Sequence, residues 1–473
     1  MASVSTTFRL CDQRPPSLKD AFTEALTVPP LLATMLHSMI EAWPEEVYAQ
    51  PSVATRFLGK RTTFVCEPAL IRSLLVDQAD ALERETFMLR ALAPALGRGI
   101  LTADGAFWRG QRRTAAPMFR PDRIRGFVPA IAAAAEAGRA RWQAAAAQDA
   151  REARGARAAD ILPELMRTAF EIIVATMISG DSEMEVGPFG RAIDDYLSQT
   201  QWKIALAHLG APAWVPHPGA RRGAAAARFL RQETARTVAR RRARGEPGRD
   251  LLGALLEARD PETGLGLPED ALIDNLLTFV AAGHETTALA LAWTLRLIAD
   301  RPEVEAKMLA EIAGLGSPLA ETPDGIERLT YTKQVLLESM RLYPPAPLIV
   351  RRTTAEVRLG ETRIPAGESV HVPVYALHRN RGLWDRPDIF DPDRFAPALQ
   401  ASRDRYAYLP FGAGPRVCIG MGLAITECLV VLATLLPALH FIPERAEMPE
   451  AQFRVTLRPR GGVPMRVVTR HAG

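Results

Sequence analysis

Cysteine is scarce in this chain. Four in 473 residues, Cys11, Cys66, Cys418 and Cys428, are too few and too irregularly spaced for a disulfide framework or a paired zinc site. A reducing compartment is therefore expected, and the cytoplasm is the simplest one. Long apolar runs are also missing. The segment 25–43 comes closest to a membrane span, but Pro29, Pro30, His37 and Glu41 interrupt it. The first residues, Met-Ala-Ser-Val-Ser-Thr-Thr-Phe-Arg, lack the basic-then-apolar order of a secretory leader, and no membrane anchor is expected. Lysine is rare as well: of 58 basic residues only Lys19, Lys60, Lys203, Lys307 and Lys333 are lysine. The net charge of +4 is weak, so nucleic acid is not an expected partner.

What remains is an ordinary globular composition, 48% hydrophobic and 24% charged, in a chain long enough for a large core. There are no internal repeats and no long linker. Helical periodicity runs through 68–75, 123–148, 160–178, 250–256, 268–300 and 302–312, and Ala/Arg-rich surface helices fit 132–159 and 219–244. The second of these ends at a loop, Gly245-Glu246-Pro247-Gly248. A hairpin is expected where 53–58 and 61–66 flank Gly59 and Lys60, and short strands at 357–359, 369–373 and 453–457. The fold class is mainly α with a small β region. A sheet drawn from both ends of the chain would make 1–473 one domain, with 1–45 as an N-terminal extension.

The densest signal is Phe411-Gly412-Ala413-Gly414-Pro415-Arg416-Val417-Cys418-Ile419-Gly420, followed by a mostly apolar stretch. Glycines let a backbone approach a large flat ligand closely. The start of a helix favours an anionic sulfur there. A single thiolate without a second ligand nearby suits an axial haem ligand better than zinc or an iron–sulfur cluster. A buried structural cysteine in a turn is the competing reading. A dinucleotide-binding glycine loop fits poorly, because the third glycine comes only at Gly420.

This loop matches the haem-binding signature Phe-x-x-Gly-x-Arg-x-Cys-x-Gly, and on it the chain resembles the cytochrome P-450 family. The resemblance implies that Cys418 is the axial ligand to the iron of haem b and that Arg416 pairs with a haem propionate. Phe411 would pack beside the sulfur, Gly412 belongs to the same cradle, and Gly420 would allow tight contact with the following helix. The match runs from about residue 50 to the C-terminus.

Inside the long 268–300 helix lies Ala281-Ala282-Gly283-His284-Glu285-Thr286-Thr287, a polar cluster in an apolar run. A Thr286 hydroxyl can bond the Ala282 carbonyl and bend the helix. The segment resembles the family's oxygen-activation stretch. By that resemblance Ala282 and Gly283 line the oxygen pocket, Thr286 steadies oxygen at the iron, and Glu285 feeds protons from solvent. His284 reads as a residue of the helix face. Standing alone, the cluster could equally be a polar kink packed on another helix.

Glu338 and Arg341 stand three apart on one helix face. They match the family's Glu-x-x-Arg pair, with Arg394 as its third, bracing member. Trp108 and Arg112 stand four apart, so one face offers an indole and a guanidinium to carboxylates. They match the family's propionate contacts, to which Arg351 and His378 are candidate additions; Arg352 competes with Arg351. Phe87, Met88, Phe279, Val280, Leu348 and Ile349 match substrate-facing regions, with plain core packing as the alternative. Lys60 or Arg61 could anchor a substrate carboxylate.

The implied activity is a soluble bacterial-type haem-thiolate monooxygenase that inserts one atom of O2 into an apolar organic substrate. A haem-thiolate peroxygenase or isomerase that needs no reductant is the alternative, and a haem sensor is a third. No flavin or iron–sulfur segment follows residue 473, so electrons from NAD(P)H are expected through a ferredoxin or flavodoxin-type partner and its reductase. The basic run Arg109, Arg112, Arg113, Arg120, Arg123 and Arg125 would steer an acidic donor. The protein is expected to be a monomer.

Overall fold

The computed structural model describes residues 9–10, 33–57, 60–151, 158–179, 186–245, 248 and 250–470. Most of the expected N-terminal extension (1–8 and 11–32) lies outside these residues, as do Cys11, Leu58, Gly59, Glu246, Pro247 and positions 152–157 of the expected 132–159 helix.

The longer helices are α1 (Thr86–Leu96), α2 (Gly105–Ala115), α3 (Pro121–Arg151), α4 (Leu162–Met177), α5 (Val186–Ser198), α6 (Thr200–His208), α7 (Ala220–Arg244), α8 (Glu269–Ala299), α9 (Pro302–Ala313), α10 (Thr330–Leu342) and α11 (Met421–Leu435). The 31-residue α8 starts with Glu269 and Asp270 in its first turn, where negative charge favours a helix N-terminus. It packs on α4, α7, α10 and α11, and α11 in turn lies on α3. Such a helix is apolar all round because it has neighbours all round.

The principal sheet joins β1 (Arg9–Leu10), β2 (Ser52–Phe57), β3 (Lys60–Val65), β4 (Leu82–Glu83), β6 (Ile349–Thr353) and β9 (Ser369–Val372) in the order β1-β2-β3-β9-β6-β4. All neighbours are antiparallel except β3 and β9. Strands from the first hundred residues thus pair with strands some three hundred residues later. A second sheet holds β5 (Ala159–Asp160), β10 (Leu439–Pro443) and β13 (Pro464–Thr469). Two hairpins complete the β structure: β7 (Val357–Leu359) with β8 (Thr362–Ile364), and β11 (Ala451–Phe453) with β12 (Leu457–Pro459). Among the described residues no helix is long and apolar enough to cross a membrane.

The segment 453–457 is not the single strand its β-branched residues suggest. The chain reverses there, with the Arg454 N–H donating to the Thr456 carbonyl at 3.1 Å. That reversal brings Thr456 and Arg458 to the middle of α8.

Candidate active site

The cysteine loop is closed by its own backbone: the Cys418 N–H donates to the Phe411 carbonyl at 2.8 Å. Gly414 has φ +69°, and a Cβ there would sit 2.0 Å from the Leu75 carbonyl oxygen, so only glycine fits. Gly412, at φ +76°, supplies the other left-handed turn. Phe411 packs half-buried against the main core. Gly420 is the N-cap of α11. The expected tight contact at Gly420 is absent: the nearest atom to an added Cβ is Phe119 Cε1 at 4.0 Å. The Cys418 side chain is exposed, yet desolvation pushes its thiol pKa up, opposed by the Gly420 N–H and the Arg112 guanidinium. An accessible but desolvated sulfur lies at the floor of a recess.

The second wall is α8. Residues 271–280 and 287–298 are buried without a break, but Ala282 is exposed and Ala281, Gly283 and Thr286 are half-buried. An exposed alanine at the centre of a core helix marks a space that protein atoms do not fill. The Thr286 hydroxyl donates to the Ala282 carbonyl at 2.7 Å, and α8 stays continuous through it. A Cβ on Gly283 would meet Ile173 Cδ1 at 3.0 Å, so this glycine serves the close approach of α4. Phe279 packs edge-on against Phe119 at 5.4 Å, and Val280 is 1% exposed; both belong to the core and not to an open pocket. His284 is buried against Phe170, and desolvation lowers its pKa to about 4. One turn from the window, the Thr287 hydroxyl donates to Glu427 Oε2 on α11 at 3.1 Å, which holds both walls in one frame.

A cationic cluster completes the recess. Arg416 lies 3.8 Å over the Trp108 ring, donates to the Ala103 carbonyl at 2.7 Å and pairs with Asp104. Desolvation lowers Arg416 to about 10, with further lowering from Arg84; it lowers Arg351 to about 10, with Arg416 adding to the shift. Arg84 falls to about 9 through desolvation and then Arg351, and its Nε is buried without a partner. Asp104 is the carboxylate that raises all three. Arg112 is half-buried with no carboxylate partner among the described residues, and Trp108 is buried with no acceptor for its N–H among them. Buried cations in excess of their counter-charge call for an added anion. The two propionates of haem match that deficit, and a lone accessible thiol matches its iron, so the residues present fit haem. Arg352 leaves the cluster: alternation along β6 sends it away from Arg351, toward Glu83 at 3.6 Å.

Around this recess stand the braces. Arg341 grips Glu338 through two 2.7 Å bonds and donates to the carbonyls of His378, Pro387 and Ile389. Both side chains are 0% exposed, and Arg394 joins Glu338 at 3.5 Å. His378 is another brace and not a propionate contact. Its Nδ1 meets the Arg341 carbonyl at 3.1 Å and its Nε2 accepts the Leu409 N–H at 2.9 Å, two residues before Phe411.

Glu285 is buried and bonded by Thr456 and by Arg458, whose other arm reaches the half-exposed Asp194 at 3.7 Å. Glu285 is therefore shielded from solvent by an ion pair. Sequence reasoning missed Arg84, Asp104, Glu427, Thr456 and Arg458. None lies in a motif, and the conflict of a lone glutamate inside the apolar 423–436 run was the one available signal, pointing to Glu427.

Of the six substrate-facing candidates, Phe87 alone lines a cavity of about 670 Å³ between the principal sheet, α1 and the end of α6. Met88, Leu348 and Ile349 are half-buried and pack on the core clusters.

A family profile described as "Cytochrome P450" matches residues 23–463. Cyclooctat-9-en-7-ol 5-monooxygenase of Streptomyces melanosporofaciens is 33% identical over 81% of this chain and 81% of its own length. Cytokinin hydroxylase of Arabidopsis thaliana is 31% identical over 84% and 77% respectively. The crystal structure of the cytochrome P450DA heme domain superposes with a TM-score of 0.77, covering 93% of each chain at 24% identity, a likeness of fold.

Proposed function

This chain belongs to the cytochrome P450 family, and from that premise we propose which residues carry each part of its reaction. It is a haem-thiolate monooxygenase that inserts one atom of O2 into an organic substrate. Bound haem b supplies the metal centre at which O2 is reduced and activated. Cys418 is the thiolate ligand, held by the Gly412–Gly414 turns at the N-terminus of α11. Arg84, Trp108, Arg112, Arg351 and Arg416 hold the propionates, and Asp104 keeps the cluster folded when they are absent. Ala282 leaves room for oxygen. Thr286 presents its hydroxyl there, already oriented by the Ala282 carbonyl. Glu285 feeds protons toward Thr286, while Arg458, which stays charged, holds Glu285 and ties it to Asp194 at the surface. This acid–alcohol pair favours oxygen activation over a peroxygenase or isomerase reading.

Electrons arrive from NAD(P)H through an acidic ferredoxin or flavodoxin. Arg120 and Arg123 are the docking cations: exposed, without an ion pair among the described residues, and beside the loop, since Phe119 and Ile124 lie 4.0 and 3.0 Å from where Cβ atoms on Gly420 and Gly422 would stand. Arg113 is bound by Asp260 at 2.9 Å and Glu262 at 3.0 Å, and Arg125 by Asp324 and Glu327. The enzyme works as a cytoplasmic monomer of bacterial type.

The observation that carries this reading is the accessible Cys418 and the accessible Ala282 in one frame held by Thr287 and Glu427. Carbon monoxide added to the dithionite-reduced holoprotein should give the red-displaced Soret band of thiolate coordination. Cys418→Ser should abolish it with circular dichroism unchanged; an unaltered band in that variant would remove Cys418 as ligand.

A further inference from the structure

We propose that Asp274 and Asn275, in the first half of α8, are positioning residues for the propionate-binding cluster. They fix the 97–104 loop and α2, and through these they hold Arg416, Trp108 and Arg112 in register with the oxygen window. The inference rests on the reading of those three residues as propionate partners.

A carboxylate and an amide inside a core helix need partners, because a polar group buried without one is costly. Asp274 is 5% exposed and Asn275 0%. Both spend their side chains on the loop that joins α1 to α2. The Arg98 N–H donates to Asp274 Oδ2 at 2.7 Å, and the Ile100 N–H donates to Asn275 Oδ1 at 2.9 Å. The Asn275 amide donates to Gln111 Oε1 at 3.0 Å and to the Ala271 carbonyl of its own helix at 2.7 Å. The Gln111 amide in turn donates to the Arg98 carbonyl at 2.9 Å. These bonds close a ring through α8, α2 and the loop. The other oxygen of Asp274 accepts from Arg231 of α7 at 2.7 Å. The loop backbone lies directly on α8. A Cβ on Gly97, where φ is +57°, would collide with the Asp274 carboxylate, and one on Gly99 would stand 2.7 Å from the Asp274 carbonyl oxygen.

The far end of the same loop holds the cations. The Thr102 hydroxyl donates to the Gly97 carbonyl at 2.8 Å, and the Ala103 N–H donates to the Gly99 carbonyl at 2.8 Å. The clamp at 97–100 is thereby carried to 102–104. There the Ala103 carbonyl and the Asp104 carboxylate receive Arg416, and Asp104 also accepts the Arg84 N–H at 3.0 Å. Arg416 has no other carboxylate partner among the described residues. Gln111 adjoins Arg112 and stands one turn from Trp108, so the ring also fixes the rotation of α2. Ala282 follows Asn275 on α8 by about two turns. One helix therefore sets both the oxygen window and the place of the propionate partners.

The experiment compares the holoprotein with Asn275→Ala, Arg416→Gln and the double variant. Haem transfer to a scavenging apoprotein should accelerate about tenfold in Asn275→Ala. The double variant should lose haem no faster than Arg416→Gln alone, because a residue that acts through another does not add to its loss. The ferric–ferrous midpoint potential of Asn275→Ala should move in the same direction as that of Arg416→Gln. Hydrogen exchange at the Arg98 and Ile100 amides should also quicken. Gln111→Ala opens the same ring from α2 and should repeat the result. Independent, multiplying effects in the double variant would overturn the proposal, as would parental haem release from a variant whose loop exchange has quickened. Exchange reads the clamp whether or not haem is bound. A parent protein without the thiolate carbon monoxide band, in which Asn275→Ala still loosens the loop, would fault the haem reading and not the clamp.

Discussion

The Thr287 hydroxyl on α8 donates to the Glu427 carboxyl on α11 across 3.1 Å, in a place where Glu427 is 2% exposed. This bond joins the helix bearing the oxygen window to the helix that starts at the cysteine loop. Burial raises the Glu427 pKa from 4.5 to about 8, and the Thr287 bond only partly opposes it. The folded protein therefore keeps a proton that the unfolded chain releases. Stability falls as pH rises from about 4.5 toward 8 and levels off above, by at most ~1.4 kcal/mol per pH unit. Glu427→Gln preserves an acceptor for Thr287 and removes the titration. In urea denaturation its advantage over the parent should be larger near pH 8 than near pH 5; a difference independent of pH would mean that Glu427 is ionised in the fold.

The arginine cluster makes a prediction of opposite signs. Arg84→Gln relieves repulsion with Arg351 and Arg416 and also removes a propionate partner. The haem-free protein should gain roughly 1 kcal/mol, while haem loss to a scavenging apoprotein should accelerate about tenfold. A variant that loses stability without faster haem release would place Arg84 in plain packing.

Thr286→Ala should keep haem and substrate binding but send electrons to peroxide, so that product per NAD(P)H falls several-fold. Thr286→Ser, which retains the hydroxyl, should recover most of the coupling. Full coupling in the alanine variant would end the relay role.

Arg123→Glu should slow reduction by an acidic ferredoxin at low salt and lose its effect at high salt, as screening removes steering. Arg113→Glu should instead act on the fold, because it faces Asp260 and Glu262 with a like charge. A reduction rate indifferent to Arg123 at every ionic strength would move the docking face elsewhere.

Local rules made much of this protein legible in advance. Cys418, its glycines and Arg416 lie within ten residues, and their spacing alone prescribes a turn, a thiol and a helix start. The Thr286 bond to Ala282 spans one helical turn, and Glu338 with Arg341 shares a helix face, so periodicity sufficed for both. Most helices were equally readable, because long amphipathic or alanine-rich runs leave few alternatives. The strand expected at 453–457 misled because Val455 and Thr456 favour extended backbone while the pairing of β11 with β12 demands a reversal.

What lay beyond reach were encounters between distant segments. Arg84, Asp104, Arg351 and Arg416 come from opposite ends of the chain, and their shared need for an anion exists only once packing withdraws water from them. The same holds for Glu285 with Arg458 and for Thr287 with Glu427. Short-range stereochemistry is written residue by residue along the chain, whereas desolvation and Coulomb forces depend on which neighbours the fold assembles, and no spacing rule encodes those.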